Sequence, residues 1–373
     1  MKEGIVLTLV LTLLAASVRS QAQSSGCCAE QTANWTENQE QLIFEHVRVF
    51  PNRTQLAFAF IENGEVDFSG VIIENDTMRL TDNHQKVFEI GSISKVFTAS
   101  LLTALVVEGK LNLDDPVNDH LPFALRDSIR PTFAQLANHT SGLPRMPSNF
   151  DDAVPFDPAN PYRNYGADLL EAYLTTQVEL AYQPGAKSEY SNLGAGLLAY
   201  ALTQMTGLDY QQLLENYLFS KYHMTTSTTR RKEVTSCLIS GLDQSGKATS
   251  NWDFSVMVGA GGILSTTEDL AKFALAQFDD SNRELKLTRL PTFEVNEQLA
   301  IGLGWHIVKT PAETERYCHN GGTGGYSSSI VLDTDRRNGV IILSNVSAFH
   351  PESPKIEQLC FSLLRTIDQS LKQ

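Results

Sequence analysis

Leu56-Ala57-Phe58-Ala59-Phe60-Ile61-Glu62-Asn63-Gly64-Glu65-Val66 is an apolar run, an Asn-Gly pair and the start of a second run that continues to residue 73. Asn-Gly readily takes the two positive φ angles of a tight turn, so the spacing predicts a β-hairpin. Ahead of it, residues 36–48 carry apolar positions at helical spacing. Behind it come nearly continuous apolar segments at 96–107, ending at Gly109, and at 193–205, closed by Gly207. Both have the length of buried helices with glycine C-caps. Residues 301–308, 327–333 and 339–344 then read as three strands, and an amphipathic helix carrying Ile356, Leu359, Leu363, Ile367 and Leu371 closes the chain. Strands at both ends of a long, mostly helical insertion argue for an antiparallel sheet flanked by helices, an α/β fold of the α+β type, because parallel neighbours require strand and helix to alternate throughout. The expected division is a sheet lobe at about 36–92 and 290–373 and a mostly helical lobe at about 93–289, the two ends of the chain meeting in one sheet.

Length and charge narrow the function. At 373 residues with 42% hydrophobic and 19% charged residues, the chain is globular and long enough for a substantial core. Its net charge of −14 repels phosphate backbones, and Arg230-Arg231-Lys232 and Asp335-Arg336-Arg337 are too short to reverse that, so no nucleic-acid partner is expected. After Met1-Lys2, an apolar run over 5–16 precedes small residues at Ser20 and Ala22, which reads as a signal peptide over 1–22 and a secreted or periplasmic catalytic domain over 23–373. The run is too short for a stable membrane span. Of Cys27, Cys28, Cys237, Cys318 and Cys360, an odd number, at least one is unpaired. Lipid attachment at Cys27 is disfavoured because Ser24-Ser25-Gly26 lacks an upstream apolar residue. Asn-x-Ser/Thr sequons occur at Asn34, Asn52, Asn75, Asn138 and Asn345.

Three segments carry candidate chemistry. Ser92-Ile93-Ser94-Lys95 places a hydroxyl and an amine on one helical face, although about one Ser-x-x-Lys is expected by chance in such a chain. Its context adds weight: Lys95 lies in an apolar helix, where desolvation lowers an ammonium pKa, and Ser92 follows Gly91 at a helix N-terminus, where free N–H groups can hold oxyanion charge. Otherwise Ser92 is a cap and Lys95 reaches solvent. Tyr190-Ser191-Asn192 enters the second apolar helix and also reads as plain capping, whereas Tyr162-Arg163-Asn164 reads as loop. His319-Asn320-Gly321-Gly322 precedes the strand at 327–333, whose edge could pair with an extended substrate. Residues 322–327 miss the third glycine of a dinucleotide fingerprint, and 241–248 miss the hydroxyl of a phosphate loop and read as a turn between two strands. Eight scattered histidines without H-E-x-x-H predict no metal, and no cofactor is expected.

Taken together, Ser92-Ile93-Ser94-Lys95, Tyr190-Ser191-Asn192 and His319-Asn320-Gly321 resemble the three motifs of the penicillin-recognising serine hydrolases, closest to the class C β-lactamase, DD-peptidase and esterase branch. His139-Thr140-Ser141-Gly142-Leu143-Pro144, Gly259-Ala260-Gly261-Gly262-Ile263-Leu264-Ser265-Thr266 and Gly302-Leu303-Gly304-Trp305 also look like that branch. The resemblance implies the β-lactamase/transpeptidase-like fold. It further implies that Ser92 is the acylated nucleophile, that Lys95 and Tyr190 share proton transfer, that Asn192 holds the substrate amide, and that the N–H groups of Ser92 and Gly322, after Gly321, form an oxyanion hole. His319 and Asn320 depart from the usual Lys-Thr of the third motif, and a neutral histidine does not meet a substrate carboxylate as a lysine does. The implied function is a secreted serine acyl hydrolase of D-amino-acid peptides or amides, or of β-lactams at a slow rate. A carboxylesterase and a non-catalytic ligand-binding member are the alternatives.

Overall fold

Asn63 and Gly64 take φ of 54° and 85°, the turn that joins β1 (Gln55–Glu62) to β2 (Glu65–Glu74). The computed structural model describes residues 33–310 and 314–370, and the N-terminal segment read as a signal peptide, with Cys27 and Cys28, lies outside them. A helix, α1 (Glu37–Val47), precedes the hairpin, and β3 (Thr77–Leu80) and the short β4 (Phe88–Glu89) follow it. Next come α2 (Ser94–Val107), α3 (Phe133–Ala137), α4 (Ala167–Thr176), α5 (Asn192–Thr206), α6 (Tyr210–Leu214) and α7 (Arg231–Val234). A second short strand, β5 (Leu264–Ser265), pairs with β4, and α8 (Thr267–Gln277) and α9 (Arg283–Arg289) end the insertion. The chain then returns through β6 (Phe293–Asn296), β7 (Leu299–Ile301), β8 (His306–Lys309), β9 (Glu315–Gly322), β10 (Ser327–Asp333) and β11 (Asn338–Ser344) to α10 (Pro354–Ser370).

Among the described residues, nine of these strands form one antiparallel sheet in the order β3-β2-β1-β11-β10-β9-β8-β7-β6. The two ends of the chain thus meet at the β1–β11 pair. Alternation along β1 explains the layers. Ala57, Ala59 and Ile61 face a core shared with α2, and Leu56, Phe58 and Phe60 face a second core built with Ile356, Leu359, Leu363 and Ile367 of α10. Burial on both faces is why β1 reads as an unbroken apolar run.

Three expectations are corrected. The strand at 301–308 is two strands, because Gly304 takes φ +74° and its N–H bonds Ala137, while Leu303 N–H bonds Thr288. The resulting turn presses on α2, where a Cβ at Gly304 would lie 2.8 Å from the Lys95 carbonyl oxygen. Residues 241–248 form a turn held by the Asp243 side chain and closed by the single bridge Leu242–Ala248, without flanking strands. β10 is not an edge strand, since it lies between β9 and β11. Free backbone is offered instead by residues 319–322 of β9, beyond the last β8 pair, His306 with Cys318. Asn138 and Asn345 are buried and hydrogen-bonded to Thr140 and Gln55, which leaves no room for a glycan in the folded chain. Among the described residues Cys237, Cys318 and Cys360 are free, and no helix is long and apolar enough to cross a membrane.

Candidate active site

Ser92 lies where β4 turns into α2. Gly91 takes φ +51°, the chain makes one tight 3₁₀ turn over Gly91–Ile93, and α2 starts at Ser94. This start is clamped from outside the helix: the Ser94 hydroxyl accepts from Ile263 N–H at 3.1 Å, and the Thr98 hydroxyl donates to the Gly259 carbonyl at 2.8 Å. Glycine at 259 is required by packing, since a Cβ there would lie 2.3 Å from the Ala199 methyl of α5. The same segment supplies the Ala260 carbonyl, 2.6 Å from Lys95 Nζ, and Nζ is 3.0 Å from Ser92 Oγ. Lys95 therefore does not reach solvent; it is 3% exposed. Burial, reinforced by the charge of Arg145, holds its pKa well below the usual lysine range.

Tyr190 and Asn192 are brought to Ser92 by the loop at 139–145. Ser191 caps α5 by accepting from Gly194 N–H at 2.8 Å and donates to the Pro144 carbonyl at 2.7 Å, while Asn192 and Leu193 N–H both donate to the Arg145 carbonyl. The capping expected of this motif is thus present, and it positions the residues on either side. The Tyr190 hydroxyl bonds Ser92, and Lys95 Nζ lies 4.8 Å from the Tyr190 ring centre. Burial pushes the Tyr190 phenol up, with the Ser92 bond and Arg145 offsetting part of the shift, so it stays protonated at neutral pH. Asn192 Nδ2 faces the Tyr162 hydroxyl at 3.4 Å and the Met146 sulfur at 3.6 Å.

The third segment ends β9 beside Ser92. Gly321 has no room for a side chain, since a Cβ would meet the Ile90 carbonyl oxygen at 2.0 Å. Thr323 N–H donates to Tyr326 at 2.9 Å, so strand alternation turns the N–H of Gly322, one register step back, away from β10. On that side lies Gly91, where a Cβ would stand 2.5 Å from Gly322 N. The N–H groups around Ser92 and Gly322 thereby border one space. His319 is buried. Its Nδ1 is 2.6 Å from the Asn320 carbonyl and carries the proton, which leaves Nε2 a bare acceptor without a partner. The Asn320 side chain points away to Glu357.

The beta-lactamase family profile matches residues 45–360. The chain belongs to the beta-lactamase family. This family member is 24% identical over 332 residues to protein flp of Staphylococcus aureus, covering 84% of the chain and 64% of the relative, so it spans about two thirds of that protein's length. It is 22% identical to a beta-lactamase of Pseudomonas fluorescens, over 84% of the chain and 94% of the relative. A crystal structure of a beta-lactamase/D-alanine carboxypeptidase from Pseudomonas syringae superposes with a TM-score of 0.72 at 21% identity, covering 88% of this chain and 99% of that one. The β-lactamase/transpeptidase-like fold is shared with that structure.

Around the motifs, this family member gathers groups that the sequence reading did not single out. His139 packs on Tyr190 with ring centres 4.5 Å apart, and His306 lies 5.2 Å from His319. Burial lowers the pKa of all three histidines. Neutral rings are therefore favoured throughout. Among the described residues, no three His, Cys, Asp or Glu side chains are arranged to hold a metal. Tyr162 is no passive loop residue: it is buried, stacks on Phe254 at 4.3 Å and meets Asn192, and burial raises its phenol to about 12. Glu89, three residues before Ser92, is buried with Oε1 accepting from Asn251 Nδ2 and Trp252 N–H, and burial pushes its pKa up to about 7. His139 sits in one quoted phrase and His306 directly follows another, the one signal that could have found them.

Proposed function

We propose that this chain is a secreted serine acyl hydrolase that works through an acyl-enzyme on Ser92. The observation that carries the reading is the 3.0 Å contact between Lys95 Nζ and Ser92 Oγ, beside which burial lowers the amine's pKa and so favours its neutral form. Neutral Lys95 takes the Ser92 proton as Oγ adds to the substrate carbonyl, and the oxyanion is held by the N–H groups of Ser92 and Gly322. As the carbonyl reforms, the bond to the leaving group breaks. The proton passes from Lys95 to the leaving group through the Tyr190 hydroxyl. A water then attacks the ester, giving its proton to the same pair and returning one to Ser92 Oγ. Asn192, opposite Tyr162, offers its amide to the acyl side chain.

Substrates of this reading are D-amino-acid peptides and amides, with β-lactams turned over slowly. A carboxylesterase is favoured by one observation, the neutral His319, which gives the third motif no fixed charge. Intact mass after incubation with a penicillin, beside Ser92→Ala, with hydrolysis of the drug and of an aryl ester followed in parallel, tests both. A stable adduct on the wild type alone supports the peptidase. Ser92-dependent ester cleavage without adduct or drug loss supports the esterase, and no reaction of any kind leaves a non-catalytic ligand-binding member.

A further inference from the structure

The motif residues leave the site without a fixed positive charge. Lys95 favours the neutral amine, His139 and His319 are buried with ring nitrogens engaged or enclosed, and the part-buried His306 has its pKa lowered by desolvation. A permanent cation does stand at the rim. The Arg145 guanidinium is exposed, lies 5.1 Å above the Tyr190 ring, and has no carboxylate within 4.0 Å among the described residues. Its mount is rigid. The Arg145 carbonyl holds two N–H groups of α5, Pro144 is tied to Ser191, and Gly142 takes φ +77° where a Cβ would stand 2.3 Å from the Tyr182 carbonyl oxygen. A guanidinium laid on an aromatic face keeps its N–H edge free, and that edge matches the two oxygens of a carboxylate.

We propose that Arg145 is the specificity-determining residue of this site and receives a carboxylate of the substrate, placed beside Tyr190 at the start of α5 and not at His319. The inference rests on the acyl-hydrolase reading and narrows its substrates to carboxylate-bearing acyl compounds. A purely structural Arg145 would serve only to cover the Tyr190 ring, and then a charged and a neutral ligand would respond alike to its loss.

Boronic acids separate the two. They add to a serine oxygen without a leaving group, the serine proton passing to a base, so they bind through Ser92 whatever the true substrate is. The experiment titrates the mature protein with phenylboronic acid and the three carboxyphenylboronic acids, for wild type, Arg145→Leu, Arg145→Lys and Ser92→Ala. For at least one isomer the carboxylate should improve Kd by about tenfold or more in the wild type. That advantage should shrink to about twofold or less in Arg145→Leu, and be partly kept by Arg145→Lys, which retains charge but loses the fork. Wild type binding all four equally, or an advantage that survives in Arg145→Leu, overturns the inference and leaves the acyl-hydrolase reading standing. Wild type binding no boronate, or Ser92→Ala binding as tightly as wild type, overturns that reading and this inference with it.

Discussion

Lys95 Nζ lies 3.0 Å from Ser92 Oγ while donating to the Ala260 carbonyl at 2.6 Å, so the amine is held at a fixed distance from the hydroxyl by a backbone group 165 residues away. Replacing Lys95 by Met should slow acylation by about 10²–10⁴-fold, the usual worth of a positioned general base. Lys95→Arg should be no better, because a guanidinium stays protonated at any working pH. Single-turnover cleavage of an aryl ester checks both. An acylation rate unchanged in Lys95→Met would exclude the proposed proton transfer.

Gly91→Ala tests the oxyanion space. A methyl at φ +51° and 2.5 Å from Gly322 N must push the Ser92 turn and the end of β9 apart. The expected result is a fall in kcat of about 10²-fold or more, with stability lower by about 1–3 kcal/mol. Steady-state kinetics beside urea unfolding separate the two effects.

Glu89 should make the fold less stable as pH rises. Its folded-state pKa of about 7 lies above the unfolded value near 4.5, so between them the folded state binds more protons. The contribution is present in full below about pH 4.5 and is lost on passing through pH 7, a swing of about 3 kcal/mol. Asp253, Arg231 and Tyr326 act on the same carboxyl from the facing segments. Glu89→Gln keeps an acceptor for Asn251 and Trp252 and should flatten this slope, gaining stability at pH 8. Urea unfolding at several pH values reads it directly.

The histidines act with the opposite sign. His139, His306 and His319 have folded-state pKa values below the usual 6.5, so the unfolded chain takes up protons that the folded chain refuses. Stability should fall as pH drops below 6.5, by a slope approaching three protons. In the Glu89→Gln background this loss should be visible between about pH 5 and 6.5 without the compensating carboxyl. His306→Asn in that background should reduce the slope by up to one proton.

Asp333, fully buried on β10, accepts from Arg316 of β9 and from Arg336 at 2.8 Å, and Arg316 continues to Asp368 of α10 at 2.6 Å. Asp333→Asn leaves the Arg316 guanidinium buried with one carboxylate fewer, which should cost about 3 kcal/mol. Denaturant titration of the variant checks the value.

Much of the fold was legible because local rules write it. Asn63-Gly64 makes a hairpin in this chain for the reason it does elsewhere, and α2 and α5 stop before Gly109 and Gly207, both at φ +70°. The strand at 301–308 was misread because its apolar pattern is continuous while the backbone is broken by Gly304, whose positive φ is imposed by contact with Ala137 and α2.

The hairpin, the two buried helices and the pairing of Ser92 with Lys95 on one face were legible from spacings within a few residues, and the antiparallel class from the order of strands and helices along the chain. Packing between distant segments, by contrast, brings His139, His306, Tyr162 and Arg145 around that pair and turns the amine inward to Ala260 and not out to solvent. The physical reason is separation. These groups come from segments tens to hundreds of positions apart, and the burial that tunes their charge exists only once the β9 end, the loop at 139–145 and the start of α2 have packed together.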